Sequence, residues 1–192
     1  MKRRNFLNQS SLGMTSILVA PHVMGCSSKA QGSAAARKNS PYVISTWNVA
    51  EANSIAGKAL ENGVNALDAA VAGVAFEEAN IQNTTVGKGG APDRDGNVTL
   101  DACVMNHHGD CGAVLAVENI THVAALAKDV MEHTPHVILA GAGARKFALE
   151  RGYTPEELLT ESSRKDWKKW LEKGNYQPEI NVENHDTIGM LC

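Results

Sequence analysis

Positive charge is not in excess in this sequence: Lys and Arg number 18 against 21 Asp and Glu, for a formal net charge of −3. Nucleic-acid binding calls for a basic face, so that class drops out. Cysteine is scarce as well. Four are present, and only Cys103, Cys111 and Cys192 lie beyond the N-terminal segment, an odd number that argues against a disulfide-dense scaffold. No apolar run reaches the roughly 20 residues of a membrane-spanning helix, and no internal repeat is visible. What remains is the composition of an ordinary folded chain, 43% hydrophobic and 20% charged over 192 residues, long enough for one domain.

The first 26 residues read as an export signal rather than as part of the fold. Lys2, Arg3 and Arg4 form a basic start, Leu12 to Ala20 a moderately apolar stretch, and small or apolar residues precede Cys26. "KRRNFL" resembles a twin-arginine signal, whose pathway carries folded proteins. "VMGC" resembles a lipobox, with Met24 bulkier than usual at its position. Two readings stay open, lipidation of Cys26 or a cleavable signal with an incidental cysteine. Either places the protein outside the cytoplasm, in the periplasm or lipid-anchored at the bacterial cell envelope. Residues 27–41 are small, polar and aperiodic, a flexible spacer ending at Pro41. The folded part is expected over 42–192.

Within it, "YVISTW" (42–47) is β-rich and predicts a strand. Ala50 to Leu60 has helical spacing, with Gly63 as its stop. A second helix starts at "NALD", with Asn65 as N-cap and Asp68 as capping-box partner; its many Ala and Gly residues predict close packing against a neighbouring layer. "VTLDACVM" and "CGAVLAV" flank "NHHGD", which predicts a hairpin with a loop of about five residues. Val123 to Met131 reads as a helix, 136–141 as a buried strand, and 142–150, 155–159 and 164–173 as helices. Residues 175–184 read as an exposed connector, and "HDTIGM" as the start of a last strand with no partner in the chain. Strands alternating with helices, and one tight hairpin, predict a layered α and β fold.

The most chemical stretch is His185-Asp186-Thr187-Ile188-Gly189. A threonine in mid-strand is ordinarily a β-branched residue that packs well; its company sets this one apart. The Thr187 hydroxyl lies next to the Asp186 carbonyl, so attack closes a five-membered ring and moves the acyl group from nitrogen to oxygen. The nitrogen leaves as an amine, and water then hydrolyses the ester, splitting the chain between 186 and 187. The new α-amino group, with a pKa of about 7.7 to 8, sits beside the hydroxyl as a built-in general base.

Other constellations carry less. "DRDGN" (93–97) starts like a calcium loop, but position twelve, counting Asp93 as the first, is Val104 where a bidentate Glu is needed, so a turn is the reading. Cys103, His107, His108 and Cys111 fall within nine residues but at no familiar zinc spacing. A Cys103–Cys111 disulfide would be off the direct cross-strand register, so free thiols are expected. "GKGG" is no P-loop. No metal and no cofactor is called for.

"NHDTIGM", together with "STWN" (45–48), "ALDA" (66–69), "VGKGGAPDRDGNVTLDACVM" (86–105) and "HTPHVILAG" (133–141), resembles the glycosylasparaginases, N-terminal-nucleophile amidohydrolases with an αββα sandwich. The resemblance runs in order from about Tyr42 to Met190. The acid before the threonine sets it apart from plant-type asparaginases, whose cleavage site is usually glycine then threonine. It implies that Thr187 is the nucleophile after maturation and that the Asp186 peptide bond is the one broken. It further implies that Asp186 assists deprotonation of the hydroxyl, that His185 supports the processing geometry, and that Trp47 lines the substrate pocket. The substrate implied is a glycosylated asparagine, cleaved at the amide joining N-acetylglucosamine to the side chain.

The same family continues well past its threonine. That second half supplies flanking strands, an arginine and an aspartate that clamp the substrate, and oxyanion donors worth about 10² to 10³ in turnover. The sandwich is therefore expected to be incomplete in this chain, and the β-subunit half is an expected partner for activity. Two rival readings are an inactive truncated remnant or surface-anchored binding domain, and an isoaspartyl peptidase or asparaginase of the same superfamily.

Overall fold

The computed structural model describes residues 40–173 and 187–192. The export signal with Cys26, nearly all of the spacer, the connector, His185 and Asp186 lie outside the described residues.

Strand β1 is Ile44–Ser45, two residues of the six expected, and helix α1 follows over Ala50–Glu61. Gly63, at φ 81°, ends α1 as the sequence predicts. Its N–H bonds Leu60 O (2.9 Å) and the Val64 N–H reaches back to Ala59 O (3.0 Å), the paired bonds of a Schellman stop. Helix α2, Ala66–Ala79, starts on Asn65, whose side chain accepts the Asp68 N–H at 2.9 Å. The Asp68 carboxylate answers the Asn65 side-chain amide (2.6 Å) rather than its backbone N–H, a variant of the expected box. The small residues do pack closely. A Cβ on Gly73 would lie 2.7 Å from Ala52 O and 3.1 Å from Ala56 Cβ, so α1 and α2 meet where a side chain is missing.

Strands β2 (Thr99–Met105) and β3 (Cys111–Glu118) form the predicted hairpin. Asn106 Oδ1 gathers the N–H groups of His108 (2.9 Å) and Asp110 (3.0 Å) to fold its loop. Cys103 opposes Ala113, and Met105 opposes Cys111, so the two thiols are off register and free as expected. The ladder slips between Leu100 and Ala102, where Ala116 takes φ 50° and its N–H is taken up by Asp101 Oδ1 at 2.6 Å. This bulge re-phases β3, so that Val117 is buried along with Val114.

Helix α3 (Val123–His133) then carries the chain across to β4 (Ile138–Ala140), parallel to β3, and α4 (Gly141–Glu150) follows. Both helices pack on one face of the sheet, around Val114, Val117, Ile120, Leu126, Val130 and Ala148. Gly112 allows the closest approach: a Cβ there would lie 2.1 Å from Ala127 O in α3.

Four expectations change. The strand expected to be buried at 136–141 is only three residues long, and Ile138 in it is 54% exposed, because helices cover just one face of this sheet. The helix expected over 155–159 is absent. Five residues scarcely offset the cost of helix nucleation, and an extended path buries both Leu158 and Leu159 against Val98 while bonding Glu156 N–H to Asn119 O and Gly89 N–H to Leu158 O, each at 2.8 Å. The last strand, β5 (Met190–Leu191), does have a partner: it pairs antiparallel with β1, Ile44 opposite Leu191 and Ser45 opposite Met190. The final helix, α5 (Glu161–Lys173), starts three residues ahead of expectation, where Thr160 Oγ1 accepts the Ser163 N–H.

Candidate active site

Residues at opposite ends of the folded part meet at the β1–β5 pair. Beyond Ser45–Met190 the two strands continue through Thr46 and Gly189: the Thr46 N–H donates to Gly189 O (3.0 Å) and the Gly189 N–H donates to the Thr46 hydroxyl (3.1 Å). One residue further, the indole N–H of Trp47 donates to the backbone carbonyl of Thr187 at 2.7 Å, across 140 positions of sequence. The structure thus brings together Trp47 and Thr187, two residues singled out from the sequence. Trp47 is 42% exposed and Thr187 is exposed.

This spot is held from below. Met190 packs its thioether over Gly73, where an added Cβ would come within 2.8 Å of Sδ. The α1–α2 notch thereby seats β5. β1 in turn leads through Val49 directly into α1, so both strands are tied to the α1–α2 pair. Sequence reading left out Thr46, which lies inside "STWN" but was not separated there from the adjacent Trp47.

A second polar cluster, also missed, lies at the N-terminus of α3. Glu78, 3% exposed, accepts the Ala124 N–H (2.8 Å) and faces His122 Nδ1 (3.3 Å). The Glu78 hydrogen bond raises the His122 pKa above its usual value, and Glu156 nearby adds to this. Glu156 is itself held below the usual carboxylate range by Lys88, 2.7 Å away. A cleft of about 380 Å³ opens here, lined among others by Thr121, His122, Arg151, Tyr153 and Glu156. Neither Trp47 nor Thr187 lines it. Its signal in the sequence is the acidic pair Glu77-Glu78 near the end of a helix that, apart from the capping Asp68, is made of small and apolar residues.

Among the described residues, the groups that converge as metal ligands do are Asp129, Glu132 and His133. Arg151 occupies Asp129 (3.2 Å) and Lys128 faces Glu132 (3.5 Å), so the trio reads as a surface charge network. Cys103, His107, His108 and Cys111 do not gather in this way. Asp93 spends its carboxylate on the N–H groups of Asp95 and Asn97 (2.9 and 2.8 Å), making a turn rather than a cation loop.

Comparison with known sequences finds relatives along nearly the whole chain. The chain is 44% identical over 191 residues to an N(4)-(β-N-acetylglucosaminyl)-L-asparaginase of Elizabethkingia miricola, an alignment spanning 99% of this chain and 56% of that protein. It is 35% identical to the enzymes of the same name from Rattus norvegicus and Mus musculus, over 79% of this chain and 53% of each. The chain therefore spans about half the length of the curated relatives it matches. Residues 16–190 match the asparaginase profile, from ahead of β1 through to Met190 in β5, and with so much of its length aligned the chain belongs to the asparaginase family.

Proposed function

We propose that this chain is the nucleophile-bearing part of a glycosylasparaginase precursor that cleaves itself between Asp186 and Thr187. The observation that carries the reading is the Trp47 indole on the Thr187 carbonyl (2.7 Å). It puts the backbone of Thr187 beside an aromatic ring exposed enough to line a substrate pocket. Attack of Thr187 Oγ on the Asp186 carbonyl carbon breaks the C–N bond as the nitrogen takes a proton, and water hydrolyses the resulting ester. The freed Thr187 amine then serves as base for its own hydroxyl, which attacks the amide carbon of a glycosylated asparagine and releases the amino sugar. Water regenerates the threonine and frees aspartate. In this reading Asp186 and His185 serve the self-cleavage step.

The remaining half of the relatives' length is proposed to supply the substrate clamp and oxyanion donors. It would also cover the outer face of the β2–β3–β4 sheet, where Met105, Leu115 and Ile138 are exposed, completing an αββα sandwich. We further propose export, with Cys26 as the lipidation point.

The test is electrophoresis of the full-length protein with mass spectrometry of its fragments, followed by assay of aspartate release from glycosylated asparagine and from isoaspartyl peptides. Cleavage before Thr187, its loss in Thr187→Ala and preference for glycosylated asparagine are expected. An uncleaved wild type, or preference for isoaspartyl peptides, refutes the reading.

A further inference from the structure

We infer that Thr46 is a positioning residue for Thr187, acting through Gly189; the inference rests on the proposed cleavage before Thr187. In a regular antiparallel ladder, hydrogen-bonded partners exchange two backbone N–H···O=C bonds. Ile44–Leu191 and Ser45–Met190 stand in register, and the next pair would be Thr46–Gly189. Half of that exchange is present, Thr46 N–H to Gly189 O at 3.0 Å. The other half is not made to the Thr46 carbonyl: the Gly189 N–H goes to the Thr46 hydroxyl at 3.1 Å. A side chain thus closes the ladder at the point where the strand hands over to the reactive residue.

Two consequences follow from that substitution of hydroxyl for carbonyl. The chain leaves the regular ladder at Thr46, and the following residue places its indole on Thr187 O. Residues 187 and 189 are therefore gripped from two successive positions of the β1 segment, which holds the backbone on the C-terminal side of the proposed cleavage point. Such a grip matters twice. Before cleavage it fixes the backbone that carries the Thr187 hydroxyl, where misplacement of the attacking group by an ångström is costly. After cleavage it keeps the new N-terminus from fraying, since chain ends are poorly ordered unless tied down.

The fit is close on the other side too. A Cβ on Gly189 would stand 3.0 Å from Thr46 Cγ2, so glycine here lets Thr46 come near enough for its hydroxyl to serve. Valine at 46 keeps the β-branched shape and loses the acceptor, whereas serine keeps the acceptor and loses the methyl. The two variants separate the hydroxyl's role from packing.

In the full-length protein, the first-order rate of cleavage before Thr187 is followed by electrophoresis for wild type, Thr46→Val, Thr46→Ser, Gly189→Ala and Thr187→Ala. Melting curves identify the temperature range in which all variants stay folded. Thr46→Val is expected to slow cleavage about tenfold, equivalent to loss of one oriented hydrogen bond. Thr46→Ser is expected to stay within about threefold of wild type, and Gly189→Ala to slow cleavage from the opposite side of the same contact. Because one contact is being removed, the Thr46→Val, Gly189→Ala pair is expected to be clearly less than additive. Cleavage by Thr46→Val at the wild-type rate overturns the inference, as does an equal slowing in Thr46→Ser, which would assign the effect to the methyl group. A wild type that does not cleave, or a Thr187→Ala variant that does, overturns the cleavage reading itself and the role of Thr46 with it.

Discussion

Replacing Gly73 by Ala tests the close packing of the α1–α2 seat under β5. Helix propensity favours the change by about 1 kcal/mol, so a bare helix would gain. At Gly73, however, the new Cβ would stand 2.7 Å from Ala52 O and 2.8 Å from Met190 Sδ. The methionine can swing aside, since its sulfur ends a flexible chain; the carbonyl belongs to α1 and moves only with the helix. Overpacking of this kind typically costs about 1–3 kcal/mol, which leaves a net destabilisation of up to about 2 kcal/mol once propensity is set against it. Gly57 in α1 is the internal control, because a Cβ there meets nothing within 4 Å and the substitution is expected to stabilise by up to about 1 kcal/mol. Urea unfolding reads both, as opposite shifts in midpoint at unchanged slope. A Gly73→Ala variant stabilised as much as Gly57→Ala would refute the close α1–α2 crossing, and with it the seating of β5.

Two further outcomes are expected. Glu78→Gln weakens a buried acceptor of the Ala124 N–H and the partner of His122, at a cost of about 1–3 kcal/mol. Because Glu78 raises the His122 pKa, the histidine's contribution to stability is full below the unfolded value of about 6.5 and fades as pH climbs through the raised folded value. Wild-type stability should therefore fall across that window and the Glu78→Gln profile should be flatter, as read by melting temperature against pH; equal slopes would count against the pairing. Trp47→Phe keeps a ring but loses the N–H bonded to Thr187 O. Cleavage before Thr187 should slow about tenfold, the equivalent of one hydrogen bond, and an unchanged rate in a gel time course would remove Trp47 from the positioning role.

Local chemistry made much of the fold legible. Gly63 stops α1, Asn65 starts α2 and "NHHGD" turns the hairpin because each acts through bonds to its immediate neighbours. Readings failed where distant contacts outweighed local preference. Residues 155–159 contain leucines that suit a helix, but burial against Val98 and bonds to Gly89 and Asn119 hold them extended. Ile138 sits in a strand that reads as core, and lies open because only one face of its sheet is covered by helices.

The same division runs through the site. The proposed N-to-O acyl shift needs a β-hydroxyl next to the carbonyl that precedes it, which the sequence by itself supplies at Asp186-Thr187 as it does at every serine and threonine. Only the tertiary structure decided what stands beside that threonine. The pairing of β5 with β1 was unreadable in advance, because two-residue strands carry almost no periodic signal and their partners lie more than 140 residues apart. That pairing brings Trp47 to the Thr187 carbonyl and the Thr46 hydroxyl to Gly189. Met190 at the same time fills the notch that Gly73 leaves between α1 and α2, a fit of shapes that no stretch of chain specifies alone.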